Sequence, residues 1–339
     1  VFFLKNCAVL CIVIWNMRHS PTIKTKTTKT VILTGAAGFI GSNLLTYLFE
    51  RHPSYHFMML DALTYAGNKN NIPQEIFNSG RFEFWYGTVT NPDLVHELML
   101  RADLVVHLAA ETHVARSLFD NSKFFETDVI GTQVMMNALM KSPNVERFIH
   151  ISSSEVYGTA MADPMTEEHP LLPRSPYAGA KAGADRLVYS YWTGYHVPAV
   201  ILRPFNNYGS HQHLEKVVPR FIAAALERKP LTIHGDGSAE RDWLYVADHC
   251  EAIDRALHIK NFAKIRNQVI NVGTGKSLSV LKIAKTILKE TGRSEKLLQF
   301  IGERPGQVKR HIASTDRARK LLGWEARTSF RTGLRKTIE

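Results

Sequence analysis

Tyr177 and Lys181 are separated by three residues, a spacing that could form a proton-transfer pair. On a helix this spacing places both side chains on one face. A lysine ammonium beside a phenol stabilises the phenolate and lowers its pKa, so the phenol can act as a base toward a hydroxyl group. Upstream, Ser153 and its neighbour Ser154 could hydrogen-bond the same oxygen. A Y-x-x-x-K pair alone is most often a surface pair, so the interpretation needs a second signal.

A glycine cluster supplies that signal. Gly35, Gly38 and Gly41 lie between a predicted strand and a predicted helix. Glycines at such a junction let the backbone turn tightly and approach a pyrophosphate at the helix N-terminus. Asp61 follows at the end of the next predicted strand, where its carboxylate could accept hydrogen bonds from a ribose diol and would repel a 2′-phosphate. The pattern therefore predicts a site for NAD rather than NADP.

These residues are positioned by alternating apolar and amphipathic stretches. Short, largely apolar runs predict strands covered on both faces, namely Thr30–Thr34, His56–Leu60, Phe82–Tyr86, Leu104–Leu108, Arg147–Ser152, Ala199–Arg203 and Val269–Val272. Helical periodicity is present in the segments Ser42–Arg51, Asn91–Arg101, Thr127–Lys141 and Ser277–Thr291. Strands that alternate with helices predict an α/β fold with a doubly wound parallel sheet.

The expected division of the chain has three parts. Residues 30–204 and 239–272 are predicted to form the dinucleotide-binding domain, and residues 205–238 and 273–339 a smaller substrate-binding lobe. Residues 1–29 are expected to be a leader and linker with no role in the fold. Their apolar run, Cys7–Trp15, is shorter than the roughly 20 residues of a spanning helix, so a weak membrane anchor is the lesser alternative. Met17 would open a more conventional N-terminus.

The charge and the cysteines narrow the function classes. The formal net charge is +11, but residues 1–29 carry five of the basic residues and no acidic one. A nucleoside diphosphate would account for the remaining surplus, and no nucleic-acid-binding signature accompanies it. Only three cysteines occur, which favours a reducing, cytoplasmic compartment. Fifteen histidines show no H-E-x-x-H pattern, so no metal site is expected. No membrane partner is expected either, because the apolar run Cys7–Trp15 is too short to span a bilayer.

The glycine cluster, the serines and the Tyr177–Lys181 pair together resemble the extended short-chain dehydrogenase/reductase family. Within it, the chain is most similar to nucleotide-diphosphate-hexose 4,6-dehydratases, above all the dTDP-glucose enzymes. The similar stretches are residues 61–67, 107–114, 155–158, 175–177, 206–209, 215–216, 241–246 and 304–306. The resemblance covers about residues 30–335, and it implies a Rossmann-type sheet and a homodimer.

The resemblance also implies roles for individual residues. Catalysis would involve Ser153, Ser154, Glu155, Tyr177 and Lys181. NAD would contact Gly35, Gly38, Phe39, Ile40, Gly41, Asp61, Leu108, Ala109, Ala110, Tyr177, Lys181 and Asn207. A nucleotide sugar would contact Thr112, Ser153, Asn206, Lys216, Arg241, Asn271 and Arg304, with the cations on the diphosphate.

One departure from the family pattern leaves the reaction open. Ser154 stands where the dTDP-glucose dehydratases have an aspartate that protonates the departing C6 hydroxyl. Dehydration of a nucleotide hexose to its 4-keto-6-deoxy product is the first expectation. UDP-glucuronate decarboxylation, which needs no acid at C6, is the second, and C4 epimerisation is the third. A non-catalytic NAD-sensing module is disfavoured by the intact Ser153, Tyr177 and Lys181. The nucleotide base and the hexose stay open.

Overall fold

The computed structural model describes residues 28–303 and 308–339. Its strands are β1 (Thr30–Thr34), β2 (His56–Asp61), β3 (Phe82–Tyr86), β4 (Leu104–His107), β5 (Arg147–Ile151), β6 (Ala199–Pro204), β7 (Asn206–Tyr208), β8 (Leu231–His234), β9 (Glu240–Tyr245), β10 (Val269–Val272), β11 (Ser277–Ser279), β12 (Leu298–Ile301) and β13 (Arg310–His311). Seven of them form one parallel sheet in the order β10-β6-β5-β4-β1-β2-β3. These are the seven predicted strands, each end within one residue of its predicted position, so the α/β, Rossmann-type fold is confirmed.

The helices are α1 (Phe39–Arg51), α2 (Gln74–Phe77), α3 (Pro92–Arg101), α4 (Val114–Ser117), α5 (Ser122–Phe124), α6 (Gly131–Met140), α7 (Pro176–Tyr195), α8 (Val217–Leu226), α9 (Val246–His258), α10 (Val280–Glu290), α11 (Asp316–Leu322) and α12 (Phe330–Ile338). Shorter 3₁₀ turns are Lys69–Asn71, Ser154–Tyr157, Phe262–Lys264 and Glu295–Leu297. A π-helical turn, Phe125–Ile130, leads into α6. None of the described helices is long and apolar enough to cross a membrane.

Local signals explain where the main helices begin. The Ser175 hydroxyl accepts a hydrogen bond from the backbone N–H of Ala178 and Pro176 follows it, a favourable start for α7. One helix prediction was partly wrong, because Ser277–Ser279 is strand β11. The Ser279 side chain accepts a bond from the Lys282 N–H, so helix α10 begins only at Val280.

The large sheet is covered on both faces. On β1, Val31 and Leu33 pack into the apolar cluster that contains α1, whereas Ile32 points into the opposite cluster with α3 and α6. Strand β1 lies between β2 and β4, so the connections after β1 and β4 diverge to opposite sides. This point of divergence opens a crevice at the carboxyl ends of the strands, where open α/β sheets bind their ligands.

Two smaller sheets are formed by strands that precede and follow β10 in the chain. Strand β9 pairs with β7, β11 and β13, and β8 pairs with β12. Of the stretch 239–272, which was expected to accompany the large sheet, β10 joins that sheet and α9 packs on α1, but β9 lies in one of the smaller sheets. The division into two lobes stays a prediction, and residues 1–27 of the expected leader fall outside the described residues.

Candidate active site

A cleft of about 650 Å³ opens at the carboxyl ends of β1, β2, β4 and β5. It is lined by every residue predicted to bind the dinucleotide: Gly35, Gly38, Phe39, Ile40, Gly41, Asp61, Leu108, Ala109, Ala110, Tyr177, Lys181 and Asn207. The predicted catalytic residues Ser153, Ser154 and Glu155 line it as well, together with the expected substrate contacts Thr112, Asn206, Lys216 and Arg241.

The glycine cluster allows two loops and a helix to approach closely at the floor of the cleft. Gly35 has φ +68°, and a Cβ there would lie 2.8 Å from the Cα of Ala109. A Cβ at Gly41 would lie 2.4 Å from the Cα of Ala36. Gly38 is the N-cap of α1, and no side chain caps that helix. Backbone N–H groups at such a helix start can bind a pyrophosphate, so these residues fit a dinucleotide.

Asp61 is held in position at the end of β2. Its Oδ2 accepts a hydrogen bond from the N–H of Ala37 (2.8 Å) and its Oδ1 accepts one from the N–H of Leu63 (2.7 Å). Burial raises the pKa of this carboxyl group, while the two backbone bonds oppose the rise. Each carboxylate oxygen can accept more than one hydrogen bond, so both retain capacity for a ribose diol.

Tyr177 and Lys181 lie on one face of α7, both buried. The Lys181 Nζ donates to the carbonyl oxygen of Ile151 at 2.8 Å. Burial raises the pKa of Tyr177, although a hydrogen bond with Ser153 opposes the rise. The predicted lowering of this pKa by Lys181 is therefore not seen in the protein itself, because desolvation of the phenol outweighs the other effects.

The serine cluster turns Glu155 toward the same cleft. Ser153 caps the 3₁₀ turn Ser154–Tyr157, with its Oγ accepting a hydrogen bond from the Glu155 N–H at 3.2 Å. Ser154 is almost fully buried, and Glu155 is half-buried. Glu155 and Tyr177 line the same cleft, and the charge of Glu155 contributes to the raised pKa of Tyr177.

One expected substrate contact, Asn271, does not line the cleft. Asn271 is fully buried away from it, because its Oδ1 accepts from the Tyr157 hydroxyl (2.7 Å) and its Nδ2 donates to the Met165 carbonyl (3.0 Å). These bonds give Asn271 a structural role at the sheet edge. Arg304 falls outside the described residues.

The far side of the cleft carries cations and further carboxylates. The Lys216 Nζ donates to the Thr112 carbonyl at 2.7 Å and forms an ion pair with Glu215 at 3.4 Å. Sequence reasoning missed Arg220, Glu111 and Glu215, which also line the cleft. Arg220 had a usable signal, because it lies four residues after Lys216 at the start of the amphipathic helix α8.

Comparison with known proteins places this cleft among nucleotide-sugar enzymes. The sequence model of the GDP-mannose 4,6 dehydratase family matches residues 32–337. The low-salt glycan biosynthesis protein Agl12 of Haloferax volcanii is 39% identical over 91% of this chain and 97% of its own length.

Two solved structures have the same fold. The dTDP-glucose 4,6-dehydratase DesIV of Streptomyces venezuelae, crystallised with NAD, is 33% identical with a TM-score of 0.86, over 91% of this chain and 95% of its own. UDP-glucuronic acid 4-epimerase of Bacillus cereus, in complex with UDP-glucuronic acid and NAD, is 33% identical with a TM-score of 0.85, over 91% and 98%. The chain therefore belongs to the GDP-mannose 4,6 dehydratase family of extended short-chain dehydrogenases/reductases, and it is an enzyme of the nucleotide-sugar dehydratase and epimerase group.

Proposed function

We propose that the protein dehydrates a nucleotide-diphosphate hexose to the 4-keto-6-deoxy sugar nucleotide. The observation that carries the proposal is the presence of Glu155, a second acid–base group, in the cleft that holds Tyr177 and Ser153. Oxidation at C4 requires one base, whereas elimination across C5 and C6 requires another that acts on carbon. An enzyme that only epimerises C4 would leave Glu155 without a task.

NAD is the cofactor. The family is NAD-dependent, and the solved neighbours that hold NAD confirm the cofactor predicted from the glycine cluster and Asp61. Gly35, Gly38 and the start of α1 would hold the pyrophosphate, and Asp61 the ribose. When bound, NAD would supply the reversible hydride transfer that oxidation at C4 and reduction at C6 require, with no net consumption of the cofactor.

The chain's own residues would supply the proton transfers. Tyr177 would take the proton of the C4 hydroxyl while the Ser153 hydroxyl holds that oxygen. The resulting C4 ketone acidifies the C5 hydrogen, which Glu155 would remove. A proton must then reach the departing C6 hydroxyl, and Glu155 itself or a water held by Ser154 would deliver it. Reduction at C6 leaves C5 to take up one proton, which balances the proton that Tyr177 removed from the C4 hydroxyl. Lys216, Arg220 and Arg241 would bind the diphosphate.

Replacing Glu155 by Gln tests this proposal, because the amide keeps the size of the side chain but cannot accept the C5 proton. C4 oxidation should continue while elimination stalls, so bound NADH should absorb on addition of the substrate. Turnover should fall by about 10²–10⁴, the usual effect of removing a positioned base.

Tyr177→Phe is the matched control, since it should block the first step and give no NADH signal. Full product formation by the Glu155→Gln variant would overturn the assignment of the C5 base.

UDP-glucuronate decarboxylation is the second candidate, and Ser154 favours it, because loss of carbon dioxide needs no acid at C6. The side chains of Glu111, Glu155 and Glu215 oppose it, because these carboxyl groups line the cleft and like charges disfavour a uronate. Ser154→Asp separates the two reactions. A dehydratase should keep or gain turnover from an acid beside C6, whereas a decarboxylase should lose activity through repulsion of the substrate carboxylate. Ser154→Asn is the uncharged control.

A homodimer is part of the proposal. Helices α6 and α7 pack side by side and are joined by a hydrogen bond from the Tyr191 hydroxyl to Asn137. Apolar side chains stay exposed on and beside these helices, among them Ile130, Met140, Tyr189 and Tyr195. Burying this surface against a second copy would remove apolar area from water. A cytoplasmic location stays a prediction.

A further inference from the structure

A carboxyl group that the proposed reaction does not use lies behind the Tyr177–Lys181 pair. Asp128 is part of the π-helical turn Phe125–Ile130 and is almost fully buried. The turn packs against α7, where Phe124 and Val129 contact the apolar cluster of Tyr177 and Ala180. The aromatic rings of Phe124 and Tyr177 meet edge to face at 6.3 Å. Short π-helical segments are frequent at functional sites.

The hydrogen bonds of Asp128 leave half of its carboxyl group unused. Its Oδ1 accepts from the Glu111 N–H at 2.9 Å, and its backbone carbonyl accepts from the Thr132 hydroxyl at 2.6 Å. The buried Oδ2 has no hydrogen-bond partner among the described residues. A buried carboxylate oxygen without a hydrogen-bond partner is unfavourable, so Asp128 is expected to lower the free energy of unfolding.

Charged and titratable groups reach Asp128 from the elements packed around it. On α7, the positive charge of Lys181 stabilises the ionised form of Asp128 and so lowers the pKa of that carboxyl group. The ionised Asp128 in turn raises the pKa of both Lys181 and Tyr177. From the loop after β4, Glu111 disfavours the carboxylate. On its own turn, Glu126 is exposed to solvent. Beyond Thr132, His107 contacts the threonine hydroxyl, and burial lowers its pKa to about 3, so it is neutral.

We propose that Asp128 is a positioning residue that sets the pH range over which Tyr177 can act as a base and Lys181 stays charged. This inference rests on the proposed oxidation at C4. As a carboxylate, Asp128 opposes formation of the Tyr177 phenolate and supports the Lys181 ammonium. When Asp128 is protonated, both effects disappear. Burial raises the pKa of Asp128 to about 7, so the change of charge falls within the working range of most enzymes.

Asp128→Asn tests the inference, because the amide oxygen can still accept from the Glu111 N–H while the charge is lost. Without the carboxylate, the Tyr177 phenolate forms at lower pH and Lys181 loses its proton at lower pH. The alkaline limb of the pH profile for NADH formation in the first turnover should therefore move downward by about one pH unit, the scale of a close charge on a buried group. The acid limb should move with it where it lies above about pH 7, because Asp128 is ionised only there. Asp128→Ser, a smaller neutral variant, should give the same shift.

The control is Glu126→Gln, which removes an exposed charge from the same turn and should leave the profile unchanged. A lower rate with an unshifted profile in both Asp128 variants would show a purely structural role and overturn the inference. A second readout needs no substrate: the tyrosinate absorbance of each holoenzyme minus that of its Tyr177→Phe counterpart should rise at lower pH in Asp128→Asn. An absence of NADH in the unmodified enzyme with every nucleotide sugar would count against the proposed function, while this absorbance still decides the role of Asp128.

Discussion

Asp61 decides the cofactor at the scale of a single residue. Its two oxygens are fixed by the backbone of Ala37 and Leu63, so the carboxylate cannot easily turn away from a 2′-phosphate. We expect the protein to bind NAD at least about tenfold more tightly than NADP, a difference of about 1.4 kcal/mol, in calorimetric titrations. Asp61→Ala should reduce the difference in affinity between NAD and NADP, because it removes the repulsion between the carboxylate and the 2′-phosphate. Equal affinity of the unmodified protein for both dinucleotides would contradict this role of Asp61.

Most site residues could be predicted because each belongs to a short motif at a strand end or at the start of a helix. Gly35, Asp61 and Ser153 reach one cleft because parallel strands bring their carboxyl ends to one edge, and Tyr177 reaches it at the start of α7. Asn271 likewise lies near the carboxyl end of a strand, β10, but its side chain forms hydrogen bonds with Tyr157 and Met165 and does not line the cleft. That direction depends on hydrogen-bond partners more than a hundred residues away in the chain, and no local pattern reveals them.

At the scale of elements, a buried ion pair joins helix α7 to strand β6. The Arg203 Nε donates to Oδ2 of Asp185 and its Nη2 donates to Oδ1, both at 2.8 Å. The Ser152 hydroxyl donates to the same carboxylate at 2.8 Å. Through these bonds the pair fixes α7, which carries Tyr177, relative to the strand that leads into Ser153.

We expect Asp185→Asn to destabilise the protein by about 3–5 kcal/mol, because it leaves the buried Arg203 cation without its partner. Chemical denaturation monitored by circular dichroism measures the change. Burial alone would raise the pKa of Asp185, but the Arg203 bonds hold it at about 2. The stabilisation should therefore be complete above about pH 4, the ordinary pKa of an aspartate, and be lost as the pH falls toward 2. Asp185→Asn should lack that pH dependence.

Glu227→Gln is the comparison, since it breaks an exposed ion pair with Lys229 and should leave the free energy of unfolding nearly unchanged. Equal stability of Asp185→Asn and the unmodified protein would show that the buried pair does not hold α7.

The elements themselves could be predicted where the apolar pattern was unambiguous. The strands of the large sheet are buried on both faces, so they read as apolar runs with clear ends. Ser277–Ser279 has no such pattern, and it is a strand only because it pairs with β9. The π-helical turn at Phe125–Ile130 has the same periodicity signal as the helix that follows it, so the sequence predicts one continuous helix there.

At the scale of the whole molecule, the exposed apolar face of α6 and α7 predicts a dimer in solution. Light scattering should give twice the mass of one chain. Ile130→Glu combined with Tyr189→Glu should shift the protein to the monomer, because both charges would be buried in the interface. Leu226→Glu, at an exposed apolar position on α8, is the matched control and should stay dimeric. A monomeric unmodified protein would contradict the proposal.

The masses of the products test the proposed reaction most directly. The unmodified enzyme, incubated with UDP-, dTDP-, GDP- and CDP-hexoses and with UDP-glucuronate, should convert at least one hexose to a product lighter by one water. The nucleotide that is consumed identifies the nucleobase that the enzyme recognises in its substrate. Loss of carbon dioxide from UDP-glucuronate, with no loss of water from any hexose, would contradict the dehydratase and establish the decarboxylase. A product of unchanged mass but altered C4 configuration would contradict it in favour of an epimerase.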